Sequence, residues 1–181
     1  MKISEAPIEG CLIIEPKVYS DERGYFFETF NKKEFAKLTG VEVDFVQDNQ
    51  SFSTKGVLRG LHFQIGEHGQ AKLIRAVKGR VLDVAVDLRK NSTTFGSYFS
   101  LEISEENQKQ LFIPRGFAHG FIVLSKTALL SYKCDNFYYK PAESGIVFND
   151  PNLNINWQVD EKQIITSERD KSLPFLKALT L

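Results

Sequence analysis

Arg59 and His62 sit three residues apart in V-L-R-G-L-H-F-Q (57–64), and Lys72 and Arg75 follow within sixteen residues of Arg59. An imidazole can take up or release a proton near neutral pH, and clustered cations can hold a phosphate or an oxygen that is gaining charge. The run around Arg59 and His62 is otherwise that of a strand buried in a sheet. Charged or titratable groups are costly there unless they are paired or used. Two readings stay open: a satisfied structural pair, or the wall of a pocket where acid–base chemistry takes place. Strict alternation would send Arg59 and His62 to opposite faces of the strand. Gly60, between them, is the natural place for a bulge that turns both inward.

Other candidates are weaker one by one. His119 lies in I-P-R-G-F-A-H-G-F (113–121), where Pro114, Gly116 and Gly120 shape a turn that delivers it at a strand end. It serves either as a cap for backbone carbonyls or as a site residue. Tyr132 in A-L-L-S-Y-K-C shares a face with Leu130 and Cys134, so it is core packing or the acid partner of a histidine base. Glu28 and Asp83 are strand carboxylates whose default is an ion pair with a nearby arginine. Asp170, in S-E-R-D-K-S, reads on its own as part of a solvated charge run. A metal site in a β-barrel commonly uses H-x-H on one strand. The second position after His62 is Gln64, and the acidic residues show no ligand spacing, so no metal is expected.

The elements that must carry these residues are short strands: Cys11–Glu15, Gly24–Phe30, Val43–Ser53, Gly56–Gln64, Ala71–Val77, Arg80–Leu88, Gly96–Ile103, Gln110–Ile113, His119–Leu124 and Leu129–Cys134. In Val43–Ser53 the side chains of Gln47, Asn49 and Ser51 share one face. Lys78-Gly79 signals a tight hairpin, and Ile65–Gly69 a turn through which the flanking strands pair. One helix is expected over Lys32–Leu38, capped by Asn31 and ended by Gly40, with Phe35 and Leu38 on one face. Many strands, turn signals and few short helices predict an all-β sandwich or barrel. The chain reads as one domain over 1–181, its segment 150–181 wrapping the barrel.

Composition narrows the partners. With 23 basic and 23 acidic residues in 181, the chain lacks the basic excess of a nucleic-acid binder. The first residues, M-K-I-S-E-A-P-I-E-G, lack the pattern of a signal peptide, and no apolar run approaches membrane-spanning length. Cys11 and Cys134 lack metal or redox spacing, which fits two buried thiols in a reducing cytoplasm.

Taken together, the motifs point further. D-E-R-G-Y-F-F-E (21–28), Q-D-N-Q-S (47–51), V-L-R-G-L-H-F-Q (57–64), Q-A-K-L (70–73), G-R-V-L-D-V-A-V-D-L-R (79–89), I-P-R-G-F-A-H-G-F (113–121) and N-D-P (149–151) occur in this order. As a set they resemble the dTDP-4-dehydrorhamnose 3,5-epimerase family. The resemblance implies a cupin-type double-stranded β-helix, or jelly-roll barrel, usually a homodimer and working without metal or coenzyme. It implies a dTDP-linked 4-keto-6-deoxyhexose as substrate, inverted at C3 and C5 in dTDP-L-rhamnose synthesis; a relative acting at C3 or C5 alone is the alternative. Carried over, His62 is the base, Tyr132 the acid, Asp170 the carboxylate orienting His62, and Lys72 the partner of the keto oxygen. Arg59 and His119 line the sugar and phosphate site, with Gln47, Asn49 and Glu143 as further ligand contacts. Arg23 and Glu28 reach the nucleotide from the partner subunit. Arg169 stands where the family often has lysine, which exchanges a point charge for a planar fork.

Overall fold

The apolar stretch V-L-D-V-A-V at 81–86 demands a strand covered on both faces, and the fold supplies both covers. The structure is a computed structural model that describes residues 1–179. In chain order its strands are β1 (Lys2–Glu5), β2 (Leu12–Glu15), β3 (Tyr19–Asp21), β4 (Gly24–Phe26), β5 (Gln47–Thr54), β6 (Leu58–Gln64), β7 (Lys72–Lys78), β8 (Arg80–Asp87), β9 (Tyr98–Ser104), β10 (Gln110–Ile113), β11 (Phe117–Val123), β12 (Thr127–Cys134) and β13 (Glu143–Gly145). Helices α1 (Lys32–Thr39) and α2 (Glu168–Lys171) and single 3-10 turns at Gly66–His68, Lys140–Ala142, Glu161–Gln163 and Leu176–Ala178 accompany them.

Two antiparallel sheets face each other, ordered β1-β2-β10-β7-β12-β5 and β13-β6-β11-β8-β9. Between them lies one apolar core, to which β7, β10 and β12 give Ile74, Leu111 and Leu130, and β8, β9 and β11 give Val81, Ile103 and Phe121. The outer face of the five-stranded sheet (Leu61, Leu82, Val84, Ile122) is covered by Ile146, Phe148, Leu153 and Trp157 from the C-terminal segment. Asp150 anchors that segment by accepting from the Leu176 and Asn152 amides at 2.6 and 2.7 Å. Of the segment 150–181 expected to wrap the barrel, residues 180 and 181 lie outside the described residues. On the outer face of the six-stranded sheet, α1 seats Phe35 against Leu12, Leu73 and Phe112.

Several sequence expectations change. Lys78-Gly79 is a tight turn, with Gly79 at φ +72°, but β7 and β8 belong to different sheets and share no ladder. The turn is a corner between layers. The same holds for Ile65–Gly69: β6 and β7 face each other across the barrel instead of pairing. Local turn chemistry fixes the chain reversal, not whether the returning strand joins the same sheet. Gly24–Phe30 shortens to β4, which pairs only with β3 in an exposed ribbon. The strand expected from Val43 begins at Gln47. The α1 helix keeps its Asn31 and Gly40 caps, yet Leu38 is exposed while Phe35 is buried. Strands β1, β3 and β13 carry too few apolar residues to announce themselves.

At the end of β8, Asp87 is fully buried and satisfied. It accepts from Arg89 Nε at 2.9 Å and Nη2 at 2.7 Å, Ser92 Oγ at 2.6 Å and Thr94 Oγ1 at 2.7 Å. Arg89 also donates to the Glu9 carbonyl and lies over the Phe117 ring, so this node ties the N-terminal segment to β8 and β11. Burial alone would raise the carboxyl, but the bonds from Arg89, Ser92 and Thr94 outweigh it and push the pKa from 3.8 down to about 2. A depressed carboxylate gives stability above its unfolded-state value that is lost as pH falls through its folded-state value. We expect the protein to lose about 2 kcal/mol through this group between pH 4 and 2. Urea unfolding of Asp87→Asn should give a flatter pH dependence in that window; an unchanged slope would contradict the assignment.

Candidate active site

The facing sheets enclose a cavity of about 540 Å³ whose lining includes Arg59, His62, Lys72, His119, Tyr132, Arg169 and Asp170. Arg59 and His62 come from β6 and His119 from β11, in the five-stranded sheet. Lys72 from β7 and Tyr132 from β12 come from the opposite one. The separation follows from the jelly-roll connection, which sends β5, β6, β7 and β8 alternately to the two layers.

The bulge in β6 is present. Phe121 of β11 pairs with Arg59, but His119 pairs with His62, so β6 holds one residue more than its partner over this stretch. Gly60 takes φ +115°, a backbone region that side chains disfavour. A Cβ there would stand 2.6 Å from the Gly120 Cα and 2.7 Å from the His119 carbonyl oxygen. The Gly60–Gly120 approach therefore lets Arg59 and His62 both line the cavity.

Asp170 is where single-residue reading fails most clearly. It is 5% exposed, not solvated. Its Oδ1 lies 2.8 Å from His62 Nε2, and its Oδ2 accepts from the Gly60 amide at 3.2 Å. Ser167 caps the helical turn by accepting from the Asp170 amide at 3.1 Å. Burial alone would raise this carboxyl, but the His62 bond and charge, with the Gly60 and Ser167 bonds, hold it below the usual range. Because an ionised carboxylate only accepts, His62 Nε2 carries the proton and Nδ1 is the ring nitrogen left for a ligand.

A second pair lies beside it. His119 sits directly across from His62 in the ladder, and its Nε2 is 2.9 Å from Oδ2 of the fully buried Asp83. Asp83 thus pairs with a histidine instead of an arginine. Burial pulls the Lys72 ammonium below its ordinary pKa, a shift opposed by the charges of Cys134, Asp83 and Glu143. Tyr132 is raised, chiefly by burial, so its phenol keeps its proton at neutral pH. Its ring centroid is 6.4 Å from that of His119.

A neighbouring cavity of about 250 Å³ shares His62, Lys72 and Tyr132 and adds Gln47, Asn49, Tyr138 and Glu143. Gln47 donates to Asn49 Oδ1 at 3.0 Å and accepts from the Tyr138 amide at 2.9 Å. Glu143 accepts from Tyr138 Oη at 2.7 Å and pairs with Arg169 Nη2 at 2.7 Å. The fork of Arg169 thereby joins α2 to β13 across the rim. Arg59 donates to Ser53 Oγ at 3.1 Å.

Three basic or acidic candidates stand apart. Arg23 is on the exposed β3–β4 ribbon, bonded to Asp21. Glu28 accepts from Asn31 Nδ2 at 3.1 Å, and neither residue lines the cavity. Arg75 lies on β7 one residue beyond Ile74, whose side chain enters the inter-sheet core, so alternation turns it to the outer face. Residues not singled out beforehand include Tyr138, Thr166 and Ser167, and the sequence places Ser51 only on the face of Gln47 and Asn49, with no role; hydroxyls give a sequence reader little signal. Among the described residues, no group of three or more His, Cys, Asp or Glu side chains is gathered as a metal ion would need.

A jelly roll with titratable groups gathered between its sheets defines a protein of the cupin class. The model of the dTDP-4-dehydrorhamnose 3,5-epimerase family matches residues 5–178. A dTDP-4-dehydrorhamnose 3,5-epimerase of Shigella flexneri is 52% identical over 170 residues, covering 94% of this chain and 93% of the relative. The crystal structure of the Elizabethkingia anophelis enzyme of that name superposes with a TM-score of 0.94 at 56% identity, covering 98% of this chain and 97% of that one. A Legionella pneumophila epimerase crystallised with dTDP-4-keto-L-rhamnose gives a TM-score of 0.95 at 45% identity, covering 99% and 94%. The chain belongs to the dTDP-4-dehydrorhamnose 3,5-epimerase family.

The bulge makes a direct prediction. Gly60→Ala should lower stability to urea by more than about 2 kcal/mol, from overpacking against β11 together with a disfavoured φ. Full stability in this variant would show that the close approach can relax.

Proposed function

We propose that this chain inverts C3 and C5 of dTDP-4-dehydro-6-deoxy-D-glucose, giving dTDP-4-dehydro-L-rhamnose, by acid–base catalysis without metal or coenzyme. One observation carries the reading. The histidine held by a carboxylate and the tyrosine with a retained proton come from opposite walls of one cavity. Inversion needs a proton removed from one face of the sugar ring and another delivered to the opposite face.

In this mechanism His62 Nδ1 removes the proton from a carbon next to the C4 ketone. The C–H electron pair moves into the ring and the oxygen gains negative charge. Lys72 stabilises that oxygen in a water-poor cavity. Asp170 accepts from Nε2 and stabilises the imidazolium that forms. Tyr132 gives its proton to the carbon from the far side and the ketone returns; solvent then resets His62 and Tyr132. Repeating the cycle at the second carbon completes the double inversion. Arg59 and Arg169 take the diphosphate, His119 the sugar, and Gln47, Asn49 and Glu143 the rest of the nucleotide sugar.

Arg23 and Glu28 act across a homodimer in this proposal. Support comes from the ribbon that bears Arg23, where Tyr25 and Phe26 are 61% and 67% exposed. We place the enzyme in the cytoplasm, where its two buried free thiols stay reduced.

Incubation with the proposed substrate in heavy water should place two carbon-bound deuteriums in the product, and this should survive exhaustive chelation. A single deuterium would indicate a one-site epimerase, and none would refute the reading. His62→Ala should slow exchange by about 10²–10⁴ while nucleotide-sugar binding persists. Tyr132→Phe should still exchange through His62 but without inversion, since the far-side donor is gone.

The dimer has its own test. Arg23→Ala and His62→Ala homodimers should each be nearly inactive. Mixed after subunit exchange, they should regain about a quarter of wild-type activity, because half the dimers are then mixed and each has one complete site. No recovery on mixing would place Arg23 outside the partner's site.

A further inference from the structure

Among the described residues, two buried side-chain oxygens lack any hydrogen-bond partner, Ser51 Oγ and Thr166 Oγ1. Both belong to residues lining the 540 Å³ cavity. A buried hydroxyl left unpaired is destabilising, and native folds rarely tolerate one without a use. Here every such group faces the same cavity.

Neither hydroxyl sits on backbone that can turn away to find a partner. Ser51 pairs with Leu130 in the β5–β12 ladder and shares the inner face with Gln47 and Asn49. Thr166 is pinned on both sides. Before it, the Ile165 amide donates to the Gly56 carbonyl at 2.9 Å and the Ile165 carbonyl accepts from Leu58 at 2.8 Å. After it, Ser167 caps α2. Two fixed hydroxyls, each able to donate and accept, match a ligand hydroxyl, which also does both.

We propose that Ser51 and Thr166 together hold the C2 hydroxyl of the hexose, as specificity-determining residues for the reaction proposed above; the assignment of the sugar rests on that reading. The choice of C2 follows from the chemistry. Inversion at C3 swings its own hydroxyl from one side of the ring to the other. The ketone at C4 has no hydroxyl, and C6 carries a methyl. Only the C2 hydroxyl is borne on a centre that both inversions leave untouched, so only it can keep one pair of partners throughout.

Stable sugar nucleotides test this without turnover. Titration calorimetry should show wild-type protein binding dTDP-glucose several-fold to about 25-fold more tightly than dTDP-2-deoxyglucose, at about fivefold for each hydroxyl. Ser51→Ala and Thr166→Val should each narrow that gap, and together abolish it, while the affinity for dTDP alone stays unchanged. A gap absent from the wild type, or preserved in the double variant, overturns the proposal. So does an equal loss of dTDP affinity, which would assign the hydroxyls to the diphosphate. Failure of the catalytic reading looks different: no deuterium would enter the sugar, whatever the binding gap.

Discussion

A single buried carboxylate joins the tail of the chain to the middle of its barrel. Asp170 bonds the His62 imidazole with one oxygen and the Gly60 amide with the other. A carboxylate taken out of water is tolerated only where donors converge on it, so the surrounding fold has to deliver them. The β6 bulge turns His62 inward and frees the Gly60 amide from the ladder. Gly120 makes room for the bulge, and Ser167 holds the turn on which Asp170 rides. The C-terminal segment is in turn fixed by its apolar cover over β8 and β11 and by the Asp150 staple. Removing any of these supports would leave either an unpaired buried charge or a histidine without a fixed tautomer.

The sequence exposed the parts of this arrangement that are local. Gly60 between Arg59 and His62 marked the bulge, the Asn31 and Gly40 caps marked α1, and the alternation of Gln47, Asn49 and Ser51 marked the inner face of β5. What stayed hidden depends on contacts between distant segments. Nothing in S-E-R-D-K-S distinguishes Asp170 from a solvated aspartate, because its burial comes from a partner 108 residues away. Asp83 likewise looked ready for an arginine, since its histidine lies 36 residues on in another strand. The misread corner at Lys78-Gly79 has the same origin. A two-residue turn signal specifies a reversal, whereas membership of a sheet is settled by which long-range partners are free. Order and identity of the motifs, taken as a set, carried the family where single residues could not.

The balance of charge in the cavity follows a similar logic. A neutral chain places Arg59, Lys72 and Arg169 around one cavity, and each is treated differently. Arg59 remains exposed and leans on Ser53, while Arg169 is engaged by Glu143 at the rim. Lys72 has no hydrogen bond or ion pair among the described residues, and burial weakens its hold on its proton. An ammonium in that position gains most from a nearby oxygen that is becoming negative, which is where the proposed enolate forms. The buried carboxylate of Asp83 opposes the effect of burial and helps keep the ammonium charged before substrate arrives.

Two histidine–carboxylate pairs therefore stand side by side on β6 and β11, and their surroundings separate them. Asp170 has the Gly60 amide as a second donor, and the His62 side chain is 28% exposed. That exposure leaves its imidazole open to a ligand and to water, as the proposed base requires. Asp83 and His119 are nearly sealed, at 0% and 7% exposure, and among the described residues Asp83 has no donor but that imidazole. The two Asp83 oxygens thereby hold the His119 ring in one orientation on the cavity wall. The same two residue types thus serve, on the proposed reading, as a proton carrier where water can reach them and as a fixed wall where it cannot. On the proposed reading this is why His62, and not its neighbour across the ladder, is the base.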